Sequence, residues 1–369
     1  MTVKPSGSSA ELVTKTLRSR SLITTRALLT YSTPAKLANL LLCEAEKKLR
    51  IIAPRSTPYR AIIDVSNACS LRCPYCPTGA REFGRKPGFL PMEHIEELME
   101  RVGRYLYIAF LYNWGEPLLH PDLPKIVAQV RSRNILTVIS TNLNIRNPAK
   151  LEAVLDSGLD HLIVSIDGAT QEVYSQYRVK GNLDLVLENL RYLVDYKRKI
   201  KRKNPTIEWQ FLVFDHNRHE VEMARKLAGD IGVNVFRTSP GFVPENHIEA
   251  WGREAWCNFL WDTITMQVDG GIGACCHHID KADDFLDSPA ATFSTMWHAP
   301  RFMTARRLFS PKAAERLPDD LEHPCLSCPI VRNQPHLTRF VTPAGTPGNE
   351  DPEGKYSRTT NSVRSSKSS

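Results

Sequence analysis

Between Tyr59 and about Pro240, short apolar runs alternate with stretches in which apolar residues recur at helical spacing. The runs are rich in Ile, Val, Leu and Phe. They predict strands at Ala61–Val65, Leu106–Tyr112, Leu136–Ser140, His161–Ile166, Ile207–Phe214 and Val233–Arg237. The pattern between them predicts helices over Met92–Val102, Pro121–Arg133, Pro148–Ser157, further helical segments through Lys199, and Glu220–Gly229. Such alternation argues for an α/β fold of parallel strands joined by helical crossovers. Six strand–helix steps fall short of the eight that close a barrel. Upstream, residues 11–53 read as one or two helices, with Leu37, Leu40, Leu41 and Leu49 at helical spacing. Pro34 suits the first turn of the second helix, and Pro54 ends it. Downstream, Thr265–Ala274 reads as a β-hairpin turning at Asp269-Gly270. From Thr342 to Ser369 the chain is rich in Pro, Gly, Ser and Thr, which predicts disorder.

Composition changes this picture at its ends. The 369 residues suffice for one large domain plus a small one, and the net charge is +8. Residues 1–50 hold nine Lys or Arg against three Glu, so nine minus three, +6, lies there. That excess is either a solvated helical face or a surface that meets anionic lipid or another acidic partner, a peripheral membrane contact. The basic run Lys201-Arg202-Lys203 has no interleaved aromatic platform and reads as a helix end rather than a nucleic-acid site. No apolar run approaches the length of a membrane span, and Met1–Ala10 lacks the apolar core of a signal peptide. Nine cysteines, an odd and clustered set, do not resemble a secreted disulfide framework. They suit a reducing cytoplasm, with localisation there or at the inner face of the membrane.

Three of these cysteines share one loop after the first predicted strand: Cys69, Cys73 and Cys76, in the spacing C-x3-C-x2-C. Three thiolates hold three corners of a [4Fe-4S] cube and leave one iron open. The rival is zinc, which takes four ligands and is left incomplete by this loop.

The loop resembles the signature of the radical S-adenosylmethionine (SAM) enzymes, and Tyr75 before the third cysteine fits it. The resemblance implies a partial (β/α)6 TIM-like barrel. It also implies that the amino and carboxylate groups of SAM chelate the open iron. One electron, from an external donor such as flavodoxin or ferredoxin, then cleaves SAM to a 5′-deoxyadenosyl radical, which abstracts a hydrogen atom from substrate. Gly115-Glu116-Pro117 resembles the family's G-G-E-P edge, which meets the SAM amino group, with Trp114 in place of the first glycine. Ser140 and Asn142 end the third strand, among the other residues at strand ends. Ser165 and Asp167 resemble the strand end near the SAM ribose, and Arg178 matches an arginine that pairs with the SAM carboxylate. The alternative for Arg178 is an ordinary surface arginine. The resemblance assigns no catalytic residue on the substrate side.

Four further cysteines, Cys257, Cys275, Cys325 and Cys328, resemble the shortened, Twitch-type form of the SPASM extension. That implies a second, auxiliary [4Fe-4S] cluster, with structural zinc as the rival. Cys276 could compete as a ligand, the roles of His277 and His278 stay open, and Cys43 reads as a small buried hydrophobe. The expected domains are a basic helical segment (1–58), the partial barrel (59–245), a small cysteine-rich hairpin-and-helix extension (246–335) and a disordered tail (336–369). The leading expectation is oxidation or epimerisation of a small polar or carbohydrate substrate, with the auxiliary cluster as electron relay. The alternatives are maturation of a ribosomally made peptide, modification of a lipid or lipid-linked glycan, and a non-enzymatic iron–sulfur protein.

Overall fold

The computed structural model describes residues 22–82, 84–241, 256–289, 292–332 and 334–340. The tail beyond Phe340 and the start of the first helix lie outside them; Pro335–Phe340, where the disordered tail is expected to begin, instead forms a 3-10 helix with Leu337 buried in the core. The strands are β1 (Arg60–Ile63), β2 (Ile108–Phe110), β3 (Leu136–Thr141), β4 (His161–Ser165), β5 (Thr206–Val213), β6 (Val235–Pro240), β7 (Thr263–Met266) and β8 (Ile272–Gly273). The helices through the barrel are α1 (22–31), α2 (Pro34–Lys48), α3 (Pro77–Ala80), α4 (Met92–Val102), α5 (Leu123–Ser132), α6 (Pro148–Asp156), α7 (Gln171–Tyr177), α8 (Leu183–Lys199) and α9 (Val221–Ile231). Most expected elements therefore stand within two or three residues of their predicted bounds. The second strand is shorter than predicted, and the helical stretch ending at Lys199 is two helices broken at Arg178–Asn182.

One sheet runs in the order β6-β5-β4-β3-β2-β1-β7-β8. The six barrel strands are parallel and the sheet does not close. The hairpin assigned to the extension is built into this sheet. Strand β7 lies parallel to β1, with Arg60 opposite Thr263 and Ile63 opposite Met266, and β8 returns antiparallel. The turn is where the sequence puts it: Gly270 has φ +86° and donates its N–H to the Gln267 carbonyl at 2.9 Å.

Alternation sorts the strand side chains into two faces. Ala61, Ile63, Ala109, Ile139, Val164, Trp209 and Phe211 face the helices and form the main core. Their neighbours face the inside of the barrel. Ile108, Leu136, Val138 and Ile163 pack there with Ile23, Ala27, Tyr31 and Cys43 of α1 and α2. The amino-terminal helices thus plug the barrel floor, and Cys43 is buried as expected. A cavity of about 320 Å3 remains at this floor, between Leu28, Leu40, Glu44 and the strand starts at Tyr59, Arg60 and Tyr107. It opens at the opposite end of the strands from the cysteine loop.

Helix α2 packs the opposite way from a simple amphipathic reading. Its buried residues are Lys36, Asn39, Cys43 and Glu46. Glu46 accepts the backbone N–H groups of Arg55 and Ser56, both at 2.9 Å. Asn39 exchanges two hydrogen bonds with the Thr57 backbone. Lys36 donates to the Asn134 carbonyl at 2.6 Å. The surface it meets is backbone at strand starts, which asks for polar partners. Of the leucines at helical spacing, Leu40 packs against this floor core, while Leu41 is 64% exposed and Leu49 71%.

Candidate metal centre

The loop carrying Cys69, Cys73 and Cys76 leaves the carboxyl end of β1 and is held from several sides. The Asn67 side chain donates to the Lys86 carbonyl at 3.0 Å and accepts the Gly88 N–H at 2.7 Å. Arg72 N–H reaches the Val179 carbonyl at 3.0 Å. Gly79 lies so close to the Cys73 backbone that a Cβ there would sit 2.4 Å from its carbonyl oxygen. Leu71, Cys73, Tyr177 and Phe214 form a small core beneath the loop, with Cys69 and Cys76 packed against it. Tyr75 is half exposed and stacks on Tyr177, ring centroids 6.2 Å apart.

Each sulfur faces a polar partner. Cys69 Sγ accepts the Leu71 N–H at 3.4 Å and the Asn142 Nδ2 at 3.6 Å. Arg178 Nη1 lies 4.0 Å from Cys73 Sγ, and the Trp114 carbonyl 3.9 Å from Cys76 Sγ. Burial pushes the Cys69 thiol up to about 12, with the Glu116 carboxylate adding to it. Such a thiol ionises at neutral pH when a metal takes it. One backbone N–H, one side-chain amide and one guanidinium aimed at the sulfurs of Cys69 and Cys73 suit a cluster of net negative charge, while the Cys76 thiol donates to the Trp114 carbonyl.

The second strand end closes against this loop. A Cβ on Gly115 would lie 1.8 Å from the Ser66 carbonyl oxygen, so only glycine fits. Glu116 N–H donates to the Ala68 carbonyl at 2.8 Å. The Glu116 carboxylate turns inward and accepts from Leu118 N, Thr141 Oγ1 and Asn142 N at 3.0, 2.7 and 2.7 Å. Pro117 opens a short 3-10 turn behind it. Ser140 and Ser165 hydroxyls meet at 3.4 Å. Arg178 Nε donates to Asp167 Oδ2 at 2.6 Å, while Asp167 Oδ1 accepts Leu212 N–H at 2.7 Å. Arg178 is therefore held inward rather than on the surface. The carboxylates of Glu116 and Asp167 are consumed in framing the site.

The other cysteines assemble around Cys257. Cys257 lies within electrostatic reach of Cys275, Cys325 and Cys328, and its burial pushes it up to about 12. Cys325 and Cys328 share a 3-10 turn, with Cys328 N–H on the Cys325 carbonyl at 3.1 Å. The Cys276 thiol is hydrogen-bonded to Cys275. Among the described residues no three His, Cys, Asp or Glu side chains converge tightly enough for a single metal ion. Four thiolates suit either a structural zinc or one iron–sulfur cube.

Sequence reasoning missed what joins the two cysteine sets. Trp114, the departure from the family pattern, donates its indole Nε1–H to the Cys276 carbonyl at 2.6 Å, and Asn113 reaches the same oxygen at 3.3 Å. The Trp114 ring stands edge-on to His277 at 6.0 Å. The only signal in the sequence was the unusual tryptophan itself.

Residues 63–228 match the model of the radical SAM superfamily. A pre-heme d1 synthase of Dinoroseobacter shibae is 28% identical over 188 residues, 50% of this chain and 44% of that protein. A 7,8-dihydro-6-hydroxymethylpterin dimethyltransferase of Methanocaldococcus jannaschii is 31% identical over 146 residues, 37% of this chain and 28% of that protein. The chain thus spans less than half the length of these curated relatives. Among solved structures, Streptococcus suis SuiB bound to precursor peptide SuiA shares the fold, with TM-score 0.51 at 13% identity, covering 82% of this chain and 76% of that one. The three-cysteine loop at the end of β1 and the glycine edge closed against it, in an open parallel α/β sheet, lie within the stretch, residues 63–228, that matches the radical SAM superfamily of enzymes, whose members hold a [4Fe-4S] cluster and bind SAM.

Proposed function

We propose that the chain abstracts a hydrogen atom from a small polar or carbohydrate substrate and oxidises or epimerises it, with a second iron–sulfur cluster relaying the electron. Cys69, Cys73 and Cys76 hold the first cluster. The backbone edge at Gly115, with Ser140, Asn142, Ser165 and Arg178, surrounds SAM, and Tyr75 flanks the loop. Glu116, Pro117 and Asp167 position that edge through the contacts described above. The observation that carries this reading is the second thiol set around Cys257, tied to the first loop through Trp114 and Cys276. A cluster with four protein ligands has no open iron for substrate, so electron transfer is the chemistry left to it. The first electron comes from a small external donor of the flavodoxin or ferredoxin kind.

Paired substitution Cys325→Ala and Cys328→Ala tests this reading. Anaerobically reconstituted wild type should bind about eight irons per chain and the variant about four, with 5′-deoxyadenosine release from SAM kept in both. Equal iron in the two proteins would remove the second cluster. Absence of 5′-deoxyadenosine from wild type would remove SAM cleavage itself.

A lipid or lipid-linked glycan is the second substrate class, and one observation favours it. Leu22, Leu29, Leu37, Leu41, Leu42 and Leu49 are all exposed on α1, α2 and the residue after it, within the segment that carries +6 of charge. Outward leucines beside basic residues suit the interface of an anionic membrane. A peptide substrate is raised by the fold shared with SuiB, whose structure holds a precursor peptide. Among the described residues no contact points to one.

A further inference from the structure

Fourteen buried side-chain atoms among the described residues have no hydrogen-bond partner, and six of them fall in one place. These are both carboxyl oxygens of Asp64, Arg85 Nε, Thr265 Oγ1, Gln267 Oε1 and His278 Nδ1. Ile63 and Val65 pack in the outer core, so alternation turns Asp64 into the barrel. The pairing of β1 with β7 sets Ile62 against Thr265 and Ile63 against Met266. Asp64 N–H continues that ladder to the Met266 carbonyl at 2.9 Å. Asp64, Thr265 and Gln267 therefore share the inner face of two neighbouring strands, at the end that leads into the cysteine loop. Arg85 comes in from the loop after α3, fixed by Asp284 and by Asp269 at 2.7 Å. Gln267 Nε2 donates to the His278 carbonyl at 2.9 Å, which aims its free oxygen away from that bond.

Unpartnered buried polar atoms are rare in folded proteins, and a convergent group of them calls for an explanation. Here the set alternates in character. Asp64 and Gln267 offer acceptors, Arg85 Nε offers a donor, and the Thr265 hydroxyl offers either. A hydroxyl is both donor and acceptor, so two hydroxyls on adjacent carbons satisfy such a set without bringing in charge.

We propose that Asp64, Arg85, Thr265 and Gln267 bind the vicinal hydroxyls of a polyol or sugar ring, and that Asp64 accepts the proton of the hydroxyl being oxidised. The proton step rests on the oxidative reading of the proposed function; the binding site does not. The step balances. The carbinol carbon loses its hydrogen atom to the 5′-deoxyadenosyl radical, the hydroxyl proton goes to the Asp64 carboxylate, and the remaining electron passes to the second iron–sulfur cluster, leaving a ketone. Burial pushes the Asp64 carboxyl up to about 7, against the pull of Arg85 and the nearby Trp114 N–H and with a push from Asp269. A carboxyl titrating there suits a proton acceptor at neutral pH.

The test uses SAM-loaded, anaerobically reconstituted protein with myo-inositol and D-glucosamine as probes, and the variants Asp64→Asn and Thr265→Val. Thr265→Val is isosteric and removes a buried hydroxyl with no partner, so ligand-free protein should melt at or above the wild-type temperature. Both variants should bind the better probe at least tenfold more weakly by calorimetry. A lowered melting temperature in Thr265→Val would show the hydroxyl to be structural and overturn the site. So would equal affinity in wild type and variants, or no binding of either probe to wild type. Release of 5′-deoxyadenosine reports separately on SAM cleavage, and the iron count of the Cys325→Ala, Cys328→Ala variant on the relay. Failure of the polyol site is thereby distinguished from failure of either.

Discussion

Two buried carboxyl groups inside the barrel are pushed in opposite directions, and the difference is set by their partners. Glu208 loses solvent on burial, which alone would raise it. The hydrogen bond from His161 at 3.0 Å and the charge of Arg237 override that and lower it to about 2. For Asp64 burial outweighs the pull of Arg85 and the Trp114 N–H, and it rises to about 7. The signs follow. A carboxyl lowered on folding contributes stability above its unfolded value of 4.5, lost as pH falls from there through about 2. A carboxyl raised on folding does the reverse: its contribution is full below 3.8 and is lost as pH climbs through about 7. For Glu208 the span is worth about 3 kcal/mol at most. Glu208→Gln should therefore be less stable than wild type at pH 6, and the gap should narrow by pH 3, in urea midpoints at both. A gap that stays constant with pH would show that the ionised carboxylate is not what the barrel uses. The polar positions Glu208 and Gln210 were legible as one face of a strand. Their partners were not, because His161 and Arg237 lie on other strands and periodicity carries no register between distant segments.

Among the secondary elements, α2 was legible as a helix, but the face it buries was not. Helical spacing of leucines says that one side is apolar, but the side that packs is chosen by what it meets. Here it meets the backbone groups of Arg55, Ser56, Thr57 and Asn134. Glu46 and Asn39 outcompete leucine because a buried N–H left unpaired costs about 1–3 kcal/mol. The exposed leucines then contribute little to folding. The paired change Leu41→Ser and Leu49→Ser should leave the melting temperature within about 2 °C of wild type, since surface substitutions of this kind stay near ±0.5 kcal/mol. If the leucine face lies on membrane, wild type should float with phosphatidylglycerol vesicles and the variant should stay in the bottom fraction. Identical flotation of the two would sink the lipid reading. Strand β7 shows the same limit of local pattern. The hairpin was visible from Asp269-Gly270, yet its docking on β1 joins residues some 200 positions apart, read from Arg60 and Thr263, and nothing in alternation names that partner.

At the scale of the whole molecule, the barrel and the cysteine-rich extension meet where β2 ends. The first cysteine loop was legible because its spacing is local and its position after a strand is fixed by the fold. The second set was legible as four cysteines but not as a neighbour of the first. The contact is made by Trp114, which departs from the family pattern, with Asn113 beside it on the same carbonyl. Trp114 sends its backbone carbonyl toward Cys76 and its indole N–H to the Cys276 carbonyl. A glycine at 114 would keep the backbone edge and lose the indole bond and the edge-on contact with His277. Trp114→Gly should therefore release the segment 272–280 while leaving β1 and its loop in place. Amide hydrogen exchange should rise at least tenfold over 272–280, the scale of one lost hydrogen bond of about 1.4 kcal/mol, with exchange over 60–65 unchanged. Trp114→Phe, which keeps a ring but no N–H, should fall between the two. Faster exchange spread evenly over both segments would mean that Trp114 supports the fold at large, and equal exchange in all three proteins would mean that the join is made elsewhere. A rise confined to 272–280 would identify the tryptophan as the tie that keeps two distant cysteine sets in one site.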